Sequence, residues 1–154
     1  MPKQKHCYDY PHPAVTADIA LFRETGEGLE ILLIQRKKEP FEGAWALPGG
    51  FVNENEKLED AAARELQEET GLRARKLEQF GAFGDPGRDP RGHTVSIAFF
   101  GEVTGKGGGA AGDDASSLRW FAAGRLPKLA FDHKKVVQQA LRARQAKTSR
   151  AKIT

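Results

Sequence analysis

Apolar and polar positions recur along this chain at two different periods, and the switches between them lay out its elements. Residues 14–22, AVTADIALF, alternate loosely and predict a strand. RETGEGLE, with Gly26 and Gly28, predicts a turn. LEILLIQR at 29–36 predicts a second strand, so the two form a hairpin. KKEPFEGAW follows as a loop, and ALPGGFV at 46–52 is short, apolar and interrupted by glycines. From about 57 to 70 the period changes. Leu58, Ala62 and Leu66 recur every four residues as the core stripe of a helix, and Gly71 stands where a C′ glycine belongs. KLEQFGAF and HTVSIAFFGEV predict two more strands, separated by the loop GDPGRDPRG. GKGGGAAGDDA predicts a flexible loop, SLRWF a strand, and HKKVVQQALRARQ a final amphipathic helix. Strands outnumber helices, and neither a repeat nor a linker interrupts them. The expectation is one α+β domain over 1–154, a sheet flanked by helices, with its core at about 14–141. Residues 1–12 and 146–154 are expected to be flexible tails.

Composition agrees and narrows the partners. The 154 residues are 39% hydrophobic and 29% charged, as in a soluble globular domain. No apolar run approaches the ~20 residues of a membrane span. The N-terminus, MPKQKHCYDYPHP, lacks the apolar core of a signal peptide. Cys7 is the one cysteine and cannot form an internal disulfide, so a reducing cytoplasm is expected. The net charge of +3 comes largely from the tail RARQAKTSRAKIT. No aromatic-plus-basic pattern accompanies it, and no nucleic-acid partner is expected.

The chemistry concentrates on the first helix. Glu65, Glu68 and Glu69 crowd its C-terminal end, the negative end of the macrodipole, at spacings where like charges repel. At 100° per residue they lie beside the core stripe, within an arc of about 100°. Part of the cluster therefore faces inward or into a cleft, where an unpaired carboxylate is costly. A solvated face tied by Arg64 is the plain alternative. Hard oxygen ligands on one face suit Mg²⁺ or Mn²⁺, which would cancel both penalties. Mg²⁺ is commonly completed by substrate phosphates, so a phosphorylated ligand is implied. Gly49 and Gly50, just before the helix, allow a close backbone approach and a carbonyl ligand.

These residues form a recognisable pattern. Gly50, then Glu56, then Arg64-Glu65-Leu66-Gln67-Glu68-Glu69-Thr70-Gly71-Leu72 fill every fixed position of the Nudix box. The chain resembles the ADP-ribose pyrophosphatase branch of the Nudix hydrolases. The resemblance extends to Pro40–Val52, Arg88–Arg91 with Ser96, Gly112–Ala115 with Trp120-Phe121, and Leu129–His133. It implies the Nudix fold, an α/β/α sandwich around a mixed sheet, and hydrolysis of a nucleoside diphosphate joined to another moiety. By position, Glu65, Glu68 and Glu69 with the Gly49 carbonyl would bind Mg²⁺, with Mn²⁺ possible. Arg64 would hold the glutamates and Glu56 would pair with Arg64. The general base would be Glu65, Asp113 or Asp114. Arg88 and Arg91 flank Asp89 on a rigid loop suited to phosphate and ribose, so all three are candidate substrate residues. Arg36 is a further phosphate candidate, and Phe41 and Trp45 are candidate base-stackers or core residues. His133 reads as a cap or packing residue.

Two positions depart from the branch. Lys57 replaces the usual capping Ser or Thr, leaving Asn55 as the expected cap. Ser116-Ser117 stand where a Glu often follows. The expected reaction is ADP-ribose plus water to AMP and ribose 5-phosphate. Nucleoside triphosphates or other nucleotide sugars are the alternative substrates. A non-catalytic ADP-ribose sensor is the alternative of another class; the stretch after the last predicted helix is expected to be too short for an added DNA-binding domain. A homodimer is expected from the branch.

Overall fold

The computed structural model describes residues 5–105 and 115–153. Seven strands and two helices follow in the order β1 (Ala14–Thr25), β2 (Gly28–Arg36), β3 (Trp45–Ala46), β4 (Gly49–Phe51), α1 (Leu58–Thr70), β5 (Glu78–Phe83), β6 (Thr94–Glu102), β7 (Ala115–Ala122) and α2 (His133–Ile153). They form one mixed sheet of order β3-β2-β1-β6-β5, with β4 added to β1 and β7 to β2. β1 and β6 run parallel, from Ala14 opposite Thr94 to Phe22 opposite Glu102. The other pairs are antiparallel.

The central strands are apolar on both faces because each face is covered. Ala20 and Phe22 of β1 join Ile31, Leu33, Val136, Val137 and Ala140 in one core. Ala17, Ile19 and Leu21 point the other way, into a second core with Leu32, Ala61, Ala62 and Leu66. The period-2 alternation of β1 thus feeds two cores, one under each helix. This is the expected α/β/α sandwich.

The apolar segment 46–52 contributes to two short strands, β3 and β4, separated at Leu47–Pro48, where the Pro48 carbonyl accepts from Ile19 N–H at 2.9 Å. Two local expectations are corrected. The last helix continues to Ile153, through the segment expected to be a flexible tail. In place of a loose end, Arg144 reaches Glu102 at 2.6 Å and Glu24 at 2.8 Å, and Lys147 reaches Glu78 at 2.7 Å. Asn55 is not the helix cap. It sits at φ 61°, the N-cap is Lys57, and no side chain caps the helix. Gly71 does end α1 in the left-handed conformation, φ 72°, with its N–H on the Gln67 carbonyl.

Candidate active site

The acidic end of α1 meets β4 where β4 crosses β1, with Asp18 opposite Gly49 and Ala17 opposite Gly50. Glu69 is buried, and one of its oxygens accepts the Gly49 N–H at 3.0 Å. The glycines are steric requirements. A Cβ on Gly49 would collide with the Ala17 carbonyl and with Asp18, and a Cβ on Gly50 would lie 2.5–2.6 Å from the Glu65 carboxylate.

Arg64 is the hub of the acidic side. It binds Glu56 through two nitrogens at 2.7 and 2.9 Å, Glu65 at 2.7 Å, Glu68 at 3.2 Å and the Phe51 carbonyl at 3.0 Å. The hydrogen bonds from Arg64, then that from the Asn53 N–H, lower the Glu56 carboxyl to about 2. The Glu56 hydrogen bonds in turn raise the Arg64 guanidinium above its ordinary range. Arg64 thereby offsets like-charge repulsion along the helix and fixes Glu65.

Glu65 and Glu69 form one wall of a cavity of about 370 Å³, within the usual size of small-ligand sites. Arg36, Arg88 and Arg91 line the same cavity with Lys37 and Lys38, and the Glu69 charge acts on Arg36. Arg88 has only 4% of its side chain exposed and makes a two-pronged ion pair with Asp132, at 2.6 and 2.9 Å. Burial lowers the Arg88 pKa, and Asp132 outweighs it, leaving the group above its ordinary value. Arg91 binds buried Asp89 through two nitrogens. Burial pushes the Asp89 carboxyl up, and the Arg91 hydrogen bonds more than reverse that. Arg36 donates to the Pro40 carbonyl at 2.7 Å. Burial, then the neighbouring Arg91 charge, lowers its pKa. Arg36 and Arg91 both lie over the Phe131 ring, at 4.9 and 5.5 Å, and Arg91 also lies over Phe51 at 5.1 Å.

Of the residues picked from sequence, Gly49, Glu65, Glu69, Arg36, Arg88, Asp89 and Arg91 line this cavity. Glu56, Arg64 and Glu68 stand behind its acidic wall, and Glu68 is exposed. Trp45 does not line it. It packs edge-on against Phe121 at 4.9 Å beside the α2-side core. Phe41 is exposed, left-handed at φ 61°, and meets Phe131 edge-on at 4.9 Å. Asp113 and Asp114 lie outside the described residues.

The sequence reading missed Asp18, Thr16, Phe51 and Phe131, which also line the cavity, and it took His133 for packing. Asp18 had a usable signal: it is the one acid within the apolar run AVTADIALF. Phe131 lies in the Leu129–His133 segment of the resemblance, but its approach to Arg36 and Arg91 depends on three segments meeting.

The donor set suits a hard divalent cation. Glu65, Glu69 and Asp18 bring carboxylate oxygens to the acidic wall, and the missing Cβ atoms of Gly49 and Gly50 let Asp18 and the Glu65 carboxylate pack close to the backbone there. Among the described residues, no three His, Cys, Asp or Glu side chains are already gathered as a metal cage. One Arg64 nitrogen binds both Glu65 and Glu68, while the Gly49 N–H binds Glu69.

Comparison with known proteins agrees with this geometry. The NUDIX domain matches residues 12–140. An ADP-ribose pyrophosphatase of Methanocaldococcus jannaschii is 47% identical over 133 residues, 86% of this chain and 76% of that protein. An ADPR responsive transcriptional repressor, NtrR, of Acinetobacter baylyi is 39% identical over 136 residues, 86% of this chain but 54% of the repressor. The NUDIX domain of Shewanella oneidensis NrtR, solved with ADP ribose, superimposes with a TM-score of 0.80 at 32% identity, covering 88% of this chain and 93% of that one. The chain belongs to the NUDIX family.

Proposed function

We propose that this NUDIX-family chain is a hydrolase that splits the pyrophosphate of ADP-ribose with water, giving AMP and ribose 5-phosphate. One observation carries the reading: a single cavity is lined both by carboxylates and by three arginines. A pyrophosphate resists attack because its own charge repels the nucleophile, so a catalyst must neutralise charge and position water. Arg36 and Arg91 offer guanidiniums to the phosphates, and Asp89 and the Pro40 carbonyl orient them. Arg88, held by Asp132, adds fixed positive charge behind them. Glu65 and Glu69, with Glu68 and the Gly49 carbonyl, are the groups that would hold a divalent cation, which we take to be Mg²⁺. When bound, that cation supplies charge neutralisation and a more acidic water. Glu65 is our preferred general base, because it lines the cavity and Arg64 orients it at 2.7 Å.

ADP-ribose is preferred because the 47% identical relative carries that activity in its name and a structural neighbour was solved with that ligand. A cytoplasmic homodimer is the setting we infer from the same branch. The repressor relative supports a second reading, a binder of ADP-ribose without turnover.

Product analysis tests this directly. The protein is incubated with Mg²⁺ and ADP-ribose, beside nucleoside triphosphates and other nucleotide sugars, with Glu69→Gln as control. AMP and ribose 5-phosphate from ADP-ribose, lost in the variant, is the expected result. Turnover of a triphosphate alone would overturn the substrate, and tight ADP-ribose binding without products would establish the regulator.

A further inference from the structure

His133 and Asp18 line the same cavity; Asp18 also belongs to the oxygen set of its acidic wall, and the reaction above gives neither a role toward the sugar. His133 is 4% exposed. Its Nδ1 faces the Leu47 backbone N–H at 3.0 Å. A backbone N–H can only donate, so Nδ1 must be the acceptor and the proton must sit on Nε2. Burial lowers its pKa, which keeps the ring neutral. Among the described residues Nε2–H has no hydrogen-bond partner, and none of their fully buried side-chain nitrogens or oxygens lacks one. The Nε2 edge is therefore the accessible part of His133, and the cavity is what it lines.

Asp18 is fixed with equal care. One of its oxygens, Oδ2, accepts from the Thr16 hydroxyl at 3.3 Å and from the Ser96 hydroxyl. The other, Oδ1, lies beside Gly49. The same short backbone places both groups. Asp18 pairs with Gly49 across the strands, Ile19 N–H binds the Pro48 carbonyl, and Leu47 N–H anchors His133. Asp18 acts electrostatically on His133, yet the two make no hydrogen bond to each other.

This pair, a neutral donor with a carboxylate acceptor, also feels the Arg36 and Arg88 charges, which leaves phosphate to the arginines. It suits a hydroxyl, which donates to one group and accepts from the other. We propose that Asp18 and His133 read a sugar hydroxyl on the substrate and so favour a nucleoside diphosphate bearing a sugar over the bare diphosphate. The proposal rests on the ADP-ribose reading and names the residues that would carry its sugar specificity.

The test compares ADP-ribose with ADP, which lacks the terminal ribose. Binding of each is measured by calorimetry in EDTA for the wild type, Asp18→Asn and His133→Gln, after wild-type turnover of ADP-ribose with Mg²⁺ has been checked. Each substitution should lower the preference for ADP-ribose over ADP about ten- to a hundredfold, the range for losing one hydrogen bond to a charged or fixed partner. An unchanged preference, or equal losses for both ligands, would overturn the proposal. If the variants fail to fold, ¹⁵N–¹H correlation spectra of the wild type decide. The His133 ring should be the Nε2–H tautomer, and its signal should move with ADP-ribose but not with ADP. An Nδ1–H tautomer, or equal movement with both ligands, would overturn it. Absence of wild-type ADP-ribose turnover sinks the parent reading as well, whereas turnover with an unchanged preference sinks this inference alone.

Discussion

The two walls of the cavity are built on opposite plans. The acidic wall comes mainly from one stretch, Gly49 to Glu69, joined by Asp18 of β1, and Arg64 serves Glu65 on it together with Glu56 and Glu68. The basic wall comes from three stretches, at Arg36, Arg88–Arg91 and Phe131–His133. There each cation has its own partner: Asp132 for Arg88, Asp89 for Arg91 and the Pro40 carbonyl for Arg36. A shared hub ties several carboxylates to one cation. Private partners hold each guanidinium in one place. The second plan suits groups that position a ligand.

The contrast sharpens under substitution, most strongly on the acidic wall. Glu69→Gln should lower kcat about a hundred- to a thousandfold, as when one preorganised charge-stabilising group is lost, with little loss of ADP-ribose binding in EDTA. Steady-state kinetics beside calorimetry separates the two. Next in size is the basic wall's dependence on exclusive partners. Asp132→Ala leaves Arg88 buried without its carboxylate, at a cost of about 3–5 kcal/mol. Denaturant unfolding should show that loss, whereas Glu68→Ala, at the exposed edge of the Arg64 hub, should change stability by less than about 0.5 kcal/mol.

Smaller effects probe the glycines and the hub's charge. Gly50→Ala should displace the Glu65 carboxylate, the movable end of a side chain, so kcat falls about tenfold while Tm changes little. At Gly49 the obstacle includes backbone, the Ala17 carbonyl and Asp18 Cα, so Gly49→Ala should unfold the protein more readily. The Glu56–Arg64 pair sets a pH signature. The Glu56 pKa falls from 4.5 to about 2 on folding, so its contribution is present above about 4.5 and is lost as pH falls toward 2. Urea titrations across that window should show a steeper acid loss in the wild type than in Arg64→Gln. The least effect is expected at Phe41→Ala, whose ring is exposed and outside the cavity; its KM for ADP-ribose should stay within about twofold.

Much of this was legible in the chain because it is local. The stripe Leu58, Ala62, Leu66 marked α1, Gly71 marked its end, and each of the predicted strands appears, with shifted bounds and the 46–52 segment split in two. The box residues were readable because helical periodicity alone places Glu65 and Glu69 on one side. Where single residues are judged by type, Asn55 is misassigned and Trp45 stays open between a base-stacker and a core residue. Trp45 has the chemistry to stack on a base, but its β3 position turns it to Phe121. Asn55 has the chemistry of a cap, but its φ of 61° leaves Lys57 at that place. The tail's polarity suggested disorder, yet Arg144 and Lys147 find carboxylates on β1, β5 and β6.

What the sequence determined by itself is the set of elements and the acidic wall, since both follow from contacts within about 20 residues of chain and from fixed helical geometry. Only the tertiary structure decided the basic wall, the partners of its arginines and the approach of Asp18 to His133. Those pairs are separated by up to 115 residues, and nothing in local propensity encodes which of many charged side chains will meet once two cores have closed on the sheet.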